Sequence, residues 1–165
     1  AGDNDETFRD IEELSRDQII RLMGSKFKGH ELARLVNGIL IAEGYHTFMS
    51  PPGPDGGVDI LAGTGTLGFG EPRLCVQVKS QDTPVELREI KALKGAMQDS
   101  QATQGLFVSW GGYKISVKEQ SSFFSVRLWG QNELLRALFR TYEKLDAELR
   151  ADLPLKQIWT ITDED

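Results

Sequence analysis

Cysteine is scarce in this 165-residue chain: Cys75 stands alone. A disulfide framework is therefore excluded, and so is a zinc cluster built on thiolates. A lone thiol fits a reducing compartment, and a cytoplasmic location is the expectation. Only two histidines occur, His30 and His46. Neither has a partner at metal-ligand spacing, so surface or capping roles suit them better than zinc. No apolar run approaches the roughly 18 residues that span a bilayer, and no membrane partner is expected. The N-terminus shows no signal peptide, and it opens on Ala1 rather than Met, as a piece cut from a longer polypeptide would. Internal repeats and low-complexity linkers are also missing. What remains is 39% hydrophobic and 27% charged, enough to bury a core of one-domain size and to exclude disorder for most of the chain.

Basic charge is in deficit too. The formal net charge is −6, which at first sight counts against nucleic acid. The acids, however, crowd the ends. Asp3, Asp5, Glu6, Asp10, Glu12 and Glu13 meet only Arg9 in the first 14 residues, and Asp163, Glu164 and Asp165 close the chain. Between them, residues 15–162 carry 16 acids and 18 bases. A near-neutral body needs only a local basic face to contact phosphates.

Hydrophobic spacing divides the chain into helices and strands. Phe8, Ile11 and Leu14 recur at helical spacing, and Ser15 with Gln18 forms a capping box that predicts a restart near Ser15, ending at Gly24. Leu32, Leu35, Val36, Ile39 and Leu40 mark a second helix that Gly44 closes. The period then shortens. Tyr45 to Met49 predicts a strand, Pro51 to Gly57 a turn-rich stretch, Val58 to Ala62 a second strand, and Arg73 to Ser80 a third. Thr83 and Pro84 predict the start of a helix with Leu87, Ile90, Leu93 and Met97 on its core face. A strand over Gly105 to Ser109, a short helix after Lys114 and a strand over Ser125 to Leu128 follow. Asn132 is the expected cap of a last helix with a stripe of Leu135, Leu138, Tyr142, Leu145 and Leu149. This order packs naturally as an α/β fold, with helices on both sides of a mixed sheet.

The chemistry lies at the ends of the second and third strands. Asp59 follows Gly56 and Gly57, which let the chain turn tightly. Gln77 and Lys79 are two apart, so both leave one face of their strand, while Val78 points into the core. A hairpin joining the two strands brings a carboxylate, an amide and an ammonium into one patch. A carboxylate with nearby carbonyl oxygens can hold Mg2+ with several waters, and a lysine beside it can offset charge building on a phosphate. The bland alternative is a turn aspartate beside a solvated strand face, and from the residues alone it stands ahead.

Three other features compete for attention. Gly63, Gly65 and Gly68 spell G-x-G-x-x-G, but a dinucleotide site needs a helix next, and Glu71-Pro72 and a strand follow. The stretch reads as a hairpin loop bordering the proposed site, within reach of DNA. Trp110-Gly111-Gly112-Tyr113 offers aromatics that could stack on a base, against the simpler reading of a packed turn. Cys75 has no histidine motif nearby and is not expected to be a nucleophile.

Taken in order, Gly53-Pro54-Asp55-Gly56-Gly57-Val58-Asp59 and Cys75-Val76-Gln77-Val78-Lys79-Ser80 resemble the catalytic core of the Mrr-type restriction endonucleases, of the PD-(D/E)xK nuclease superfamily. The helix from His30 with Glu43-Gly44-Tyr45, the helix from Val85 to Met97, and Gly105-Leu106-Phe107-Val108-Ser109 extend the resemblance over roughly 29–140. It implies a restriction-endonuclease-like three-layer α/β/α core with a mixed central sheet. It implies a Mg2+-dependent endonuclease, Mn2+ being able to substitute, acting on double-stranded DNA. Asp59 would match the metal-binding Asp and Lys79 the catalytic Lys. Gln77 stands where most of the superfamily has Glu or Asp, and the Val78 carbonyl would add a further oxygen. One departure is clear: the family's opening helix commonly carries Phe-Glu, where this chain has Leu32-Ala33. Glu31 lies two residues earlier, about 200° around the helix, and is no simple substitute.

The expected organisation is an N-terminal helical extension over 1–28, an Mrr-like nuclease domain over 29–150 and a C-terminal tail over 151–165. Gln81, Arg88, Lys91, Lys94 and Trp110 are the candidate DNA contacts. Against a solvated helix face, Arg88, Lys91 and Lys94 are weighed with Glu86 and Glu89 interleaved among them. Double-strand cutting needs two active sites, which a homodimer would supply, and sequence selectivity could come from an additional recognition domain. Two alternatives stand beside the nuclease: a catalytically weak or inactive nuclease fold that only binds DNA within a larger protein, and an unrelated α/β domain that binds a small ligand. The intact set Asp59, Gln77 and Lys79 favours the enzyme over the first, and the missing phosphate loop counts against the second.

Overall fold

The computed structural model describes residues 2–51, 58–120 and 125–162, with side chains from Ile11 onward. Its order is α1 (Gly2–Lys26), α2 (His30–Ala42), β1 (His46–Met49), β2 (Ile60–Thr64), β3 (Gly70–Lys79), α3 (Leu87–Asp99), β4 (Gln104–Ser109), α4 (Ile115–Gln120), β5 (Val126–Trp129), α5 (Gln131–Thr141), a 3₁₀ turn (Tyr142–Lys144) and α6 (Ala147–Asp152). The five strands form one sheet in the order β1-β2-β3-β4-β5. The first three run antiparallel as a meander, and β3, β4 and β5 run parallel. The sheet is mixed, as the α/β expectation required.

Alternation along β3 builds the three layers. Leu74 and Val76 turn to one face, where Ile60, Leu106 and Val108 join the stripes of α2 and α5, with Met23 of α1, Phe27 just beyond it and Leu149 of α6. Cys75 turns to the other face and meets Ile90, Leu93 and Met97 of α3 with Phe107, Val117 and Val126. Close approach is built in at Gly105, where a Cβ would lie 2.7 Å from the Met97 sulfur, so α3 sits directly on β4. Gly44 adopts φ +103 at the end of α2. That left-handed step lets the Tyr45 amide reach the Leu40 carbonyl and stops the helix as anticipated.

Several helix ends differ from the sequence expectations. α1 runs unbroken through Ser15, because the Ser15 hydroxyl donates to the Ile11 carbonyl at 2.7 Å instead of capping a new helix. It also passes Gly24, which faces the Trp110 ring. α3 begins at Leu87 rather than near Thr83. Val85 is held extended by a bridge to Tyr113, and Glu86 becomes the cap. α5 is capped at Gly130 rather than Asn132, with the Glu133 carboxylate accepting the Gly130 amide at 2.9 Å. The last stripe is split: Leu145 is extended, and Asp146 starts α6 by accepting the Leu149 amide at 2.9 Å. The turn-rich residues 52–57, the side chain of Phe8 and the acidic residues 163–165 lie outside the described residues.

Candidate active site

The register of the meander sets the candidate site. Ile60 pairs with Val76, so Asp59 stands just before β2 beside the far end of β3. Its backbone is held from both sides, its amide donating to the Val76 carbonyl at 2.9 Å and its carbonyl accepting from Ser50 at 2.8 Å. The side chain then reaches one residue further along β3. Oδ2 of Asp59 accepts the Val78 amide at 2.6 Å. A strand residue turns its N–H and C=O to the same edge, so the Val78 carbonyl also faces the Asp59 side.

Burial dominates the charge state of Asp59. It pushes the carboxyl above the usual carboxylate range, against the pull of the Val78 amide, His30 and Lys79. The involvement of His30 reflects how α2 is docked: the Gly29 amide donates to Ser80 Oγ at 2.8 Å, placing the first turn of α2 against the end of β3. Lys79, the last residue of β3, is a third exposed and forms an ion pair with Glu89 of α3. The second Glu89 oxygen accepts the Glu86 amide at 2.8 Å and caps the helix. Gln77 leaves the same face of β3 as Lys79 and is partly buried. Asp59, Val78 and Lys79 thus meet at one end of the sheet, with Gln77 adjoining them on β3.

Two participants escaped the sequence reading. Glu89 was weighed there only as an acid among the bases of a helix face; the readable cue was Glu86-Leu87-Arg88-Glu89, an acid at capping-box spacing in a first turn beside a strand end. His30 offered no signal beyond its place at a helix start. Ala33 is buried in the core, and Glu31 is taken up with Arg34, which also pairs with Asp152. No carboxylate of α2 is therefore directed at Asp59 among the described residues.

The peripheral candidates scatter. Gln81 is exposed in the bend after β3. Arg88 is exposed and pairs with Glu86 at 3.2 Å. Lys91 and Lys94 lie about 200° and 140° around α3 from Glu89; Lys91 is exposed and Lys94 half-buried at the flank of the core face. Trp110 donates its amide to the Lys79 carbonyl at 2.9 Å, while its ring packs toward Gly24 and the core. That is the packed-turn arrangement. Cys75 is buried beside Ser100, and burial pushes its thiol up. The glycine loop is a hairpin connection, with Gly65 and Gly68 at positive φ and no room for a side chain on Gly63, whose Cβ would meet the Gly68 carbonyl oxygen at 1.9 Å. It does not border the site, however. It joins the opposite ends of β2 and β3, and the nine-residue step from Gly70 to Lys79 separates them by roughly 30 Å.

The donors at Asp59 suit a hard divalent cation. They are oxygens of the Asp59 carboxylate and the Val78 backbone carbonyl, with Gln77 adjoining on β3 and one negative charge among them. Oδ1 of Asp59 remains beyond the bond made by Oδ2. Among the described residues no three His, Cys, Asp or Glu side chains cluster as a metal site, so water would complete most of the coordination shell. No helix of the described residues is long and apolar enough to cross a membrane.

Residues 25–138 match the Mrr_cat family, described as restriction endonuclease. Among solved structures, the MspJI restriction endonuclease in complex with a 27-mer oligonucleotide is similar at a TM-score of 0.54 and 17% identity, over 86% of this chain and 35% of that one. This chain therefore spans about a third of MspJI. A protein of unknown function, AF1548, is similar at a TM-score of 0.49 and 18% identity, over 78% of each chain. A search of curated proteins gives no match.

Proposed function

This chain belongs to the Mrr family of restriction endonuclease domains, and we propose on that premise that it is a metal-dependent endonuclease hydrolysing phosphodiester bonds of double-stranded DNA. The observation that carries the reading is the meeting of Asp59 and Lys79 across the Val78 amide at the end of β3. A carboxylate and a lysine brought by sheet register to one rim are what a phosphate and its counter-cation require.

In this reading Asp59, the Val78 carbonyl and Gln77 hold Mg2+, with Mn2+ able to stand in. When bound, the cation polarises the phosphoryl oxygens and makes a bound water more acidic. Lys79 donates to the phosphate and offsets the charge that builds as a water oxygen attacks phosphorus and the bond to one bridging oxygen breaks. The attacking water gives up a proton to solvent as its bond to phosphorus forms, and the departing oxygen takes one up. Gln77 is neutral, so the cation should bind more weakly than between two carboxylates. Arg88, Lys91, Lys94 and Gln81 serve as outer contacts to the duplex, with Trp110 supporting the end of β3 from behind.

Selectivity for a sequence or modification would come from a recognition element beyond this domain, and a homodimer would supply the second cut of a duplex. The buried thiol of Cys75 suits a reducing cytoplasm. The test is incubation of supercoiled plasmid with the purified protein. Nicked and linear products should form with Mg2+ or Mn2+ and not with EDTA, and intact plasmid under all conditions would reject the enzyme.

A second reading has one observation in its favour. Ala33 is buried where the family commonly carries Glu, and α2 directs no described carboxylate to the site. A nuclease fold that binds DNA with little or no cleavage would show this loss, and the same plasmid experiment combined with a binding measurement separates the two.

A further inference from the structure

We propose that Glu89 is the positioning residue of this site, holding the Lys79 ammonium in place from the first turn of α3. The inference deepens the nuclease reading and rests on it. Lysine carries its charge on a flexible four-carbon stem, and a charge that must meet a phosphate gains from being fixed beforehand. The sheet fixes only the Lys79 backbone, whose carbonyl accepts the Trp110 amide at 2.9 Å. The side chain is 36% exposed and needs its own anchor.

Glu89 has the properties of that anchor. Its side chain is only 21% exposed, and its two oxygens are divided between two tasks. Oε2 accepts the Glu86 amide at 2.8 Å, which locks the carboxylate, and Oε1 takes the Lys79 ammonium. The helix that carries it is pinned to the sheet by Ile90, Leu93 and Met97. An ammonium has three N–H donors, so one spent on Glu89 leaves two for a phosphate oxygen or a water. Asp59 and Glu89 compete for the same lysine. The pull of Glu89 keeps Lys79 from closing onto Asp59 and leaves that carboxylate open to a cation.

The experiment compares the full chain with Glu89→Gln and Glu89→Asp in plasmid cleavage at saturating Mg2+. Glu89→Gln keeps an oxygen for the Glu86 amide but loses the charge that holds Lys79. Its kcat should fall about 10- to 100-fold, as expected for a misplaced catalytic group. KM for DNA should stay within about twofold of wild type, because the loss is felt in the transition state. Tm should be unchanged, and Glu89→Asp should recover part of kcat. An unchanged or increased kcat in Glu89→Gln would overturn the proposal, because Glu89 would then be idle or would sequester the lysine. A second readout does not need cleavage. The Lys79 15Nζ resonance, identified by its loss in Lys79→Ala, should shift in Glu89→Gln, and an unmoved resonance also overturns the proposal. If the resonance shifts while the wild-type protein never cuts DNA, the nuclease reading fails and the held lysine stands.

Discussion

Asp59 Oδ2 accepts the Val78 amide at 2.6 Å, tying the residue before β2 to the strand that carries Gln77 and Lys79. The acid's position thus follows from strand register, since the pairing of Ile60 with Val76 continues to set Asp59 opposite Gln77, one residue short of the Val78 amide that its side chain reaches. A one-residue slip of that pairing would reverse the faces of β2 and carry the carboxylate away from Lys79. Stability of the meander and geometry of the site are therefore the same property at this point.

The burial of Asp59 predicts a stability effect of definite sign. A carboxyl whose folded pKa lies above its unfolded one binds its proton more tightly in the native state. The native state then loses stability as pH rises through that window and regains it as pH falls. Asp59→Asn removes the penalty and keeps an oxygen for the Val78 amide. Thermal denaturation without divalent cation should show a higher Tm for Asp59→Asn than for wild type at pH 7, with the gap closing on acidification into the carboxylate range. The same variant should lose cation binding and cleavage. A wild-type protein equally stable at pH 7 would show that the carboxylate suffers no burial penalty.

Lys79→Ala should reduce cleavage by at least about 100-fold, the scale of losing one donor to a developing charge. DNA affinity should change little, because the ammonium acts mainly in the transition state. Cleavage kinetics and fluorescence anisotropy with a labelled duplex measure the two separately. Wild-type cleavage in this variant would assign the chemistry to other residues.

The strands and the core of the site were legible because they depend on short-range pattern. Alternation across Leu74, Val76 and Val78 defined the buried face of β3 and, by subtraction, the face of Gln77 and Lys79. Gly44 marked the end of α2, but several other helix ends were not legible, because tertiary contacts override local capping. The bridge from Val85 to Tyr113 delays α3 to Leu87. The break at Leu145 falls inside an apolar stripe that keeps helical spacing across it. Glu89 could not be matched to Lys79 because the pairing depends on how α3 lies against β3. The glycine loop was recognisable as a hairpin, but the ten-residue length of β3 carries it to the far end of the sheet.

That separation is itself testable at Gly63. A Cβ there would lie 1.9 Å from the Gly68 carbonyl oxygen, backbone that cannot swing aside as a side chain can. Gly63→Ala should cost about 1–3 kcal/mol of stability, the range for forced overpacking. Chemical denaturation gives the cost. Cleavage by the folded fraction should be unaffected, because the loop is roughly 30 Å from Lys79. A large drop in kcat without loss of stability would mean the loop acts at the site.

DNA binding should weaken steeply with salt despite the net charge of −6. If Lys91 and Lys94 contact phosphates, Lys91→Ala and Lys94→Ala should each lower the slope of log affinity against log salt by about 1. Slopes identical to wild type would leave these residues as a solvated helix face, and a salt-independent affinity would point to a different kind of partner.

Gln77→Glu is the most discriminating change at the site. It adds a second carboxylate beside Asp59 without altering side-chain length. If Gln77 faces the cation, a hard ion gains a charged oxygen ligand and Mg2+ binding tightens. Cleavage should then reach half-maximal rate at a lower Mg2+ concentration, with the maximal rate kept or raised. The competing possibility is that Gln77 holds a water or orients Lys79. The new charge would then add a rival to Glu89 for the ammonium, two residues away on the same face of β3, and draw Lys79 out of position. The maximal rate would fall with no gain in Mg2+ affinity. A Mg2+ titration of cleavage for wild type and Gln77→Glu distinguishes the two, because ligand gain moves the midpoint and lysine capture lowers the plateau.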